Sequence, residues 1–161
     1  MVSYFTWLSG RCRWKIEVLR YSRTYEGTLL GVCRSNVKDT GYQSSEDMWL
    51  LRGQSGDAHH RGRSSVPSRA DAVSLDSLLI APVKFGQDDV VEFVLDVDAR
   101  CLLVSVNGRT PMVVFDDLPT KEGLFPCALF SSPNGTERVS INYQMLFLPC
   151  LMIIFCPIYY D

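Results

Sequence analysis

Three groups of residues in this chain have types and spacings that could support chemistry. Asp57, His59 and His60 fall within four residues of one another, which invites a metal or proton-transfer reading. Adjacent histidines on a strand point to opposite faces, however, and no cysteine or glutamate stands near to complete a tetrahedral set. A polar surface is the simpler role, and no metal or cofactor is expected. Asp96 and Asp98, two residues apart, could face one way like the carboxylate pair of a glycosidase. Yet Asp98 opens a turn, and turn capping accounts for both. No G-x-S-x-G elbow surrounds any serine. The six cysteines (Cys12, Cys33, Cys101, Cys127, Cys150, Cys156) include no C-x-x-C pair, and several sit inside apolar strands. They read as buried free thiols of a protein kept in a reducing compartment. Catalysis is therefore not expected.

Recognition is the remaining class of function, and two loops are candidates for it. Residues 39–47 are polar and turn-rich. Tyr42 is the residue to single out there, because tyrosine offers a large apolar face and a hydroxyl at low entropic cost; Gln43, Ser44 and Glu46 flank it. Residues 52–69 carry Arg52, His59, His60, Arg61, Arg63 and Arg69. Such a loop could pair with acidic or phosphorylated peptides through guanidinium forks, or simply be solvated. Arg109, beside an Asn-Gly turn, completes the candidate set. Nucleic acid is not an expected partner, since the formal net charge is −2 and no aromatics interleave with the arginines.

The elements that must position these residues are strands. Residues 90–115 alternate with a period of two: Val91, Phe93, Leu95 and Val97 share one face, then Leu102, Val104 and Val106, then Val113 and Phe115. Asn107-Gly108 between the last two runs suits a two-residue hairpin turn, which requires positive φ at both positions. A three-stranded antiparallel meander follows. Further strands are expected around Trp14–Ile16–Val18, Leu30–Val32, Met48–Leu51, residues 124–130 and residues 139–143, with only a brief strand crossing 52–69. With no amphipathic helix of useful length, this is an all-β chain, an antiparallel sandwich of two sheets. Its core should hold Trp14, Ile16, Val18, Leu30, Val32, Trp49, Phe93, Leu95, Leu102, Val104, Phe115, Phe125 and Leu129. Residues 71–80 admit either a helical turn or an extended segment.

The 161 residues suggest one domain over 1–144, followed by an apolar tail, 145–161. The tail is short for a membrane span and is interrupted by Pro149 and Pro157. An extra strand or a divergent terminus is the preferred reading, with a membrane tail anchor as the minor one. The first residues lack the charge and apolar run of a signal peptide, so a cytoplasmic or nuclear protein is expected. The Asn134-Gly135-Thr136 sequon is explained by a turn.

Several collinear segments together resemble the SPRY domain family. Ser9 to Val18, including Trp14, is similar to the family's opening strand, and Gly31-Val32 falls where it has a Gly-Val strand end. Glu46 to Gly53 is similar to its Trp-containing segment, with Met48 in place of the usual serine. Asp89 to Asp98 matches another segment, although Glu92 stands where glycine is usual. Val106-Asn107-Gly108, Phe115 to Pro119, Leu124 to Leu129 and residues 139–143 complete the series. The resemblance implies a bent, lectin-like (concanavalin-like) sandwich without the additional PRY segment and lacking its first strands. It also implies a non-catalytic module that binds a peptide or protein through loops at one end. Many members serve as substrate-recognition or scaffold parts of ubiquitin ligases. Two other readings stay open: a lectin-like glycan binder, and a non-functional fragment of a larger SPRY protein.

Overall fold

Alternating apolar residues build both layers of the molecule. The computed structural model describes residues 9–22, 27–35, 37, 41, 45–61, 63–65, 82–130, 135–144 and 154–157. In chain order the strands are β1 (Arg11–Arg20), β2 (Thr28–Cys33), β3 (Met48–Arg52), β4 (Ala58–His60), β5 (Arg63–Ser65) and β6 (Val90–Asp96). They continue with β7 (Cys101–Val106), β8 (Met112–Phe115), β9 (Phe125–Phe130), β10 (Arg138–Gln144) and β11 (Ile154–Pro157). Apart from one 3-10 turn, Thr120–Glu122, no helix occurs among the described residues. A five-stranded sheet in the order β10-β1-β6-β7-β8 faces a six-stranded sheet in the order β11-β9-β2-β3-β4-β5.

The expected meander is β6, β7 and β8. Val91, Phe93, Leu95, Val97, Leu102, Val104 and Val106 are all buried on its inner side. Asn107 and Gly108 have φ of 53° and 71°, and the Arg109 N–H donates to the Val106 carbonyl at 3.1 Å, which closes the hairpin. Asn107 also locks this end of the sandwich, donating from Nδ2 to Asp89 Oδ1 at 2.7 Å and accepting the Val90 N–H at 2.9 Å. One detail differs from simple alternation. The β7–β8 register slips between Leu102 and Leu103, so that Val114 is the extra residue. The bulge turns Val114 into the core and leaves Phe115 half-buried against it.

The inner core joins Trp14, Ile16 and Val18 of β1 to Leu30, Val32, Trp49 and Leu51 of the opposing sheet. Trp14 stacks on Phe93, its cross-strand partner, with ring centroids 5.4 Å apart. A second apolar cluster covers the other face of the six-stranded sheet: Leu29, Cys33, Met48, Leu50, Cys127 and Leu129. Leu129 thus belongs to this outer cluster, while its neighbour Ala128 faces the inner one. Burial on both faces explains why β2 and β3 read as continuous apolar runs instead of alternating.

The outer face of the five-stranded sheet carries charges in register, with Arg13 and Lys15 both reaching Glu92 at 3.4 and 3.2 Å. In the tail, residues 154–157 pair parallel with β9, the extra-strand reading of that segment. Every other strand pairing among the described residues is antiparallel. Among the described residues no helix is long and apolar enough to cross a membrane.

Candidate functional site

The connections β2–β3, β4–β5, β6–β7 and β8–β9 meet at one end of the sandwich. Trp49, the second residue of β3, lies here; its position in an apolar island predicts burial, and it is 5% exposed. β4 ends here with His60, whose imidazole stacks on the Trp49 indole at 4.5 Å and 15°. On β3 and β4, Leu50 faces His59 across the ladder, which sends His60 to the opposite side of the sheet from His59. Arg34, just past the end of β2, lies with its guanidinium carbon 5.5 Å from the centre of the Trp49 ring. Trp49 is therefore the floor of a charged stack.

Around that floor is a cleft of about 670 Å³ lined by Arg34, Trp49, His60, Arg61, Asp116, Asp117 and Pro119. A smaller depression of about 250 Å³ lies beyond Pro119, over Arg100 and residues 120–122. The walls are cross-braced. Arg34 bonds Glu122 at 2.6 Å and Asp47 at 3.0 Å, tying the β2–β3 loop to the β8–β9 loop. Arg100 donates from Nε to the Leu118 carbonyl at 3.0 Å and pairs with Asp117 at 2.8 Å. Arg61 takes a left-handed conformation, φ 51°, which directs its N–H to the Ser45 carbonyl at 3.2 Å. Arg61, Arg100 and Asp117 all adopt positive φ, a conformation non-glycine residues hold only where neighbours impose it.

The charges do not balance. Five carboxylates (Glu46, Asp47, Asp116, Asp117, Glu122) and four cations (Arg34, Arg61, Arg100, Lys121) line or brace the two depressions, a local net charge of −1. Asp116 is exposed and makes no hydrogen bond or ion pair among the described residues. Among the described residues the Arg61 guanidinium has one ion-pair partner, Glu46, at 3.9 Å.

His60 Nδ1 donates to the Met48 carbonyl at 2.9 Å. Burial pulls its pKa below the ordinary 6.5, and the nearby Arg61 and Arg34 add to that, against the opposing effects of the Met48 bond and Glu46. The folded state thus binds this proton less readily than the unfolded chain. Stability from the neutral ring is complete above pH 6.5 and is lost as pH falls below it toward the lowered value. Urea midpoints measured between pH 7.5 and 5.5 should therefore drop on acidification in the wild type. His60→Phe keeps the stack without the titration, and its decline should be shallower. Parallel curves for the two would show that His60 is not the group responsible.

The residues singled out in the sequence are distributed as follows. Tyr42, Gln43 and Ser44 lie outside the described residues. Glu46 is exposed at the rim of the cleft and Arg61 lines it, so the two candidate loops, read separately in the sequence, meet here. Arg52 and His59 sit elsewhere. Both lie on the outer face of the six-stranded sheet, as their register with Leu29 and Leu50 requires. The basic loop is thus not one patch. Arg109 is exposed at the Asn107-Gly108 end, one β7 length away, about 20 Å at roughly 3.3 Å per residue. Arg34, Asp116, Asp117 and Pro119 were not singled out for the site by the sequence, because only non-local strand pairing brings them to Trp49.

Of the aspartates with the spacing of a glycosidase pair, Asp96 caps the turn after β6, and Asp98 instead ties that turn to Gly10. Asp96 accepts the Ala99 N–H at 2.8 Å and bonds Arg11 at 2.6 Å, and these interactions hold its carboxyl below the usual range. Asp98 accepts the Gly10 N–H at 3.0 Å. Cys12, Cys33, Cys101 and Cys127 are free thiols, and burial pushes the Cys12 pKa up to about 12, so it is protonated and unreactive at neutral pH. Among the described residues no group of three potential metal ligands converges.

Comparison with known proteins agrees with this architecture. The SPRY domain profile matches residues 11–144. The crystal structure of the SPRY domain of human HERC1 superposes with a TM-score of 0.70 at 31% sequence identity, over 91% of this chain and 82% of that one. SPRY domains are generally protein-interaction modules without catalytic activity. On the extent of the profile match, the order of its strands and the two-sheet sandwich they form, this chain belongs to the SPRY domain family.

Proposed function

We propose that the chain binds a protein or peptide partner in the cleft at the loop end of the sandwich and catalyses no reaction there. The cleft itself is the observation that carries this reading. It is large enough for several side chains and shares Pro119 with the second depression, which suits an extended segment. Its buried aromatic floor and polar rim are the anatomy of interaction hot spots. Cross-bracing by Arg34 and Arg100 supports the same view, because walls fixed before binding cost less to order. Within a larger assembly, a ubiquitin-ligase-type complex included, such a module would supply recognition while another part supplies chemistry.

The test is affinity capture from cell lysate with the full chain, read by mass spectrometry. Wild type and Arg109→Ala, altered at the far end, should retain the same specific protein, and His60→Ala, which removes one ring of the cleft's aromatic wall, should lose it. Tyr42→Ala reports whether the 39–47 loop joins the contact. Loss with Arg109→Ala but not with His60→Ala would move the site to the opposite end.

A further inference from the structure

We infer that the partner enters this cleft with a cationic side chain, lysine or arginine, directed at Asp116; the inference rests on the cleft being the binding site. Charge is the first reason. The residues lining and bracing the two depressions carry a net −1, so the field there favours cations. The state of each charge is the second. Arg34 is already ion-paired with Glu122 and Asp47 at 2.6 and 3.0 Å, so an incoming anion would compete with both braces. Arg61 is already offset by Glu46. Asp117 is engaged by Arg100. Asp116 alone among the lining carboxylates has no hydrogen-bond or ion-pair partner among the described residues.

The third reason is the surface beside Asp116. The stacked Trp49 and His60 rings form a π wall along the cleft. The chain already seats one guanidinium over Trp49, that of Arg34. A lysine or arginine from a partner would lay its apolar stem along the His60 side of this wall and carry its charge to the Asp116 carboxylate. The occupant so described is a basic segment, and an acidic or phosphorylated one would meet a net negative charge and the unpaired Asp116 carboxylate. That reverses the expectation from the basic loop read in isolation. The reversal has a structural cause: Arg52 stands on another face, and Arg61 is paired.

A randomised peptide display library panned on the full chain tests this. Enriched peptides should share a lysine or arginine at a fixed position, and their binding should weaken with added salt. For one such peptide, Asp116→Asn should lower affinity by about tenfold or more, the loss expected when a charge-assisted hydrogen bond is removed. Replacing the peptide's cation with glutamine should cost the same. Combining the two changes should cost little beyond either alone, which identifies them as one contact. Asp116 is exposed in a loop, so this variant is expected to fold as the wild type does, and circular dichroism checks that. His60→Ala separates the remaining outcomes. Peptides that depend on His60 but not on Asp116 would overturn the cationic assignment and leave the cleft as the site. Peptides indifferent to both, or no enrichment at all, would overturn the cleft reading with it.

Discussion

Replacing Phe93 with alanine is expected to destabilise the fold by about 3–5 kcal/mol, the range for large-to-small changes at closed core positions. Phe93 is fully buried, stacked on Trp14 at 5.4 Å, and paired across the ladder with Trp14 on one side and Val104 on the other. The cavity would open at the centre of the five-stranded sheet, where β1 and β7 cannot both close inward without breaking their pairing with β6. For a domain of this size the loss corresponds to a fall in Tm on the order of 10 °C. Urea titration of the full chain gives the direct reading. A change below about 1 kcal/mol would mean that Phe93 does not face the core, and since a one-residue slip reverses a strand, the β6 register described above would be wrong. The cleft residues are carried on loops at the end of the sheets, so Phe93→Ala protein that remains folded should still bind.

This prediction can be drawn from sequence because β6 and β7 are half-buried strands with one covered face. Period-two patterning there is a direct imprint of the sandwich, and Asn107-Gly108 closes the hairpin by local backbone chemistry alone. The same logic weakens where geometry is non-local. Nothing in the residues 112–115 announces the bulge that draws Val114 inward, because a bulge is a property of the paired register and not of one strand's pattern. Leu29, Cys33, Met48 and Leu50 show no period because both sides of their sheet are covered.

The candidate site was only half visible for a related reason. The parity of His59 and His60 is readable, but which of them reaches the cleft depends on the pairing of β4 with β3. Arg34 and Glu122 stand 88 residues apart in sequence and 2.6 Å apart in space. Their sequence neighbourhoods contain no motif linking them. The tyrosine placed first from sequence, Tyr42, lies outside the described residues. The loop stem beside it, through Ser45 and Glu46, does reach Arg61.

Gly31→Ala should be the second large effect, about 3 kcal/mol, at the upper end of ordinary overpacking costs. Gly31 lies in β2, flanked by β3 and β9, opposite Leu50 and Cys127. A Cβ built there would fall 2.0 Å from the Trp49 carbonyl oxygen and 3.1 Å from the Leu50 Cα, both backbone atoms. Neither can swing aside as a side-chain tip would, so β2 and β3 must separate locally and the ladder between them must stretch. Trp49 is also the floor of the cleft, which gives the substitution a second consequence. The near-ultraviolet circular dichroism of the indole should change, and partner binding should weaken even at temperatures where the variant remains folded. Gly86→Ala provides the control: it meets nothing within 4 Å and needs no left-handed backbone. It should be neutral or stabilise by up to about 1 kcal/mol by restricting the unfolded chain. If Gly31→Ala proves as mild as Gly86→Ala, then β2 and β3 do not approach as closely as described, and the rigid placement of Trp49 that the cleft depends on would have to be abandoned.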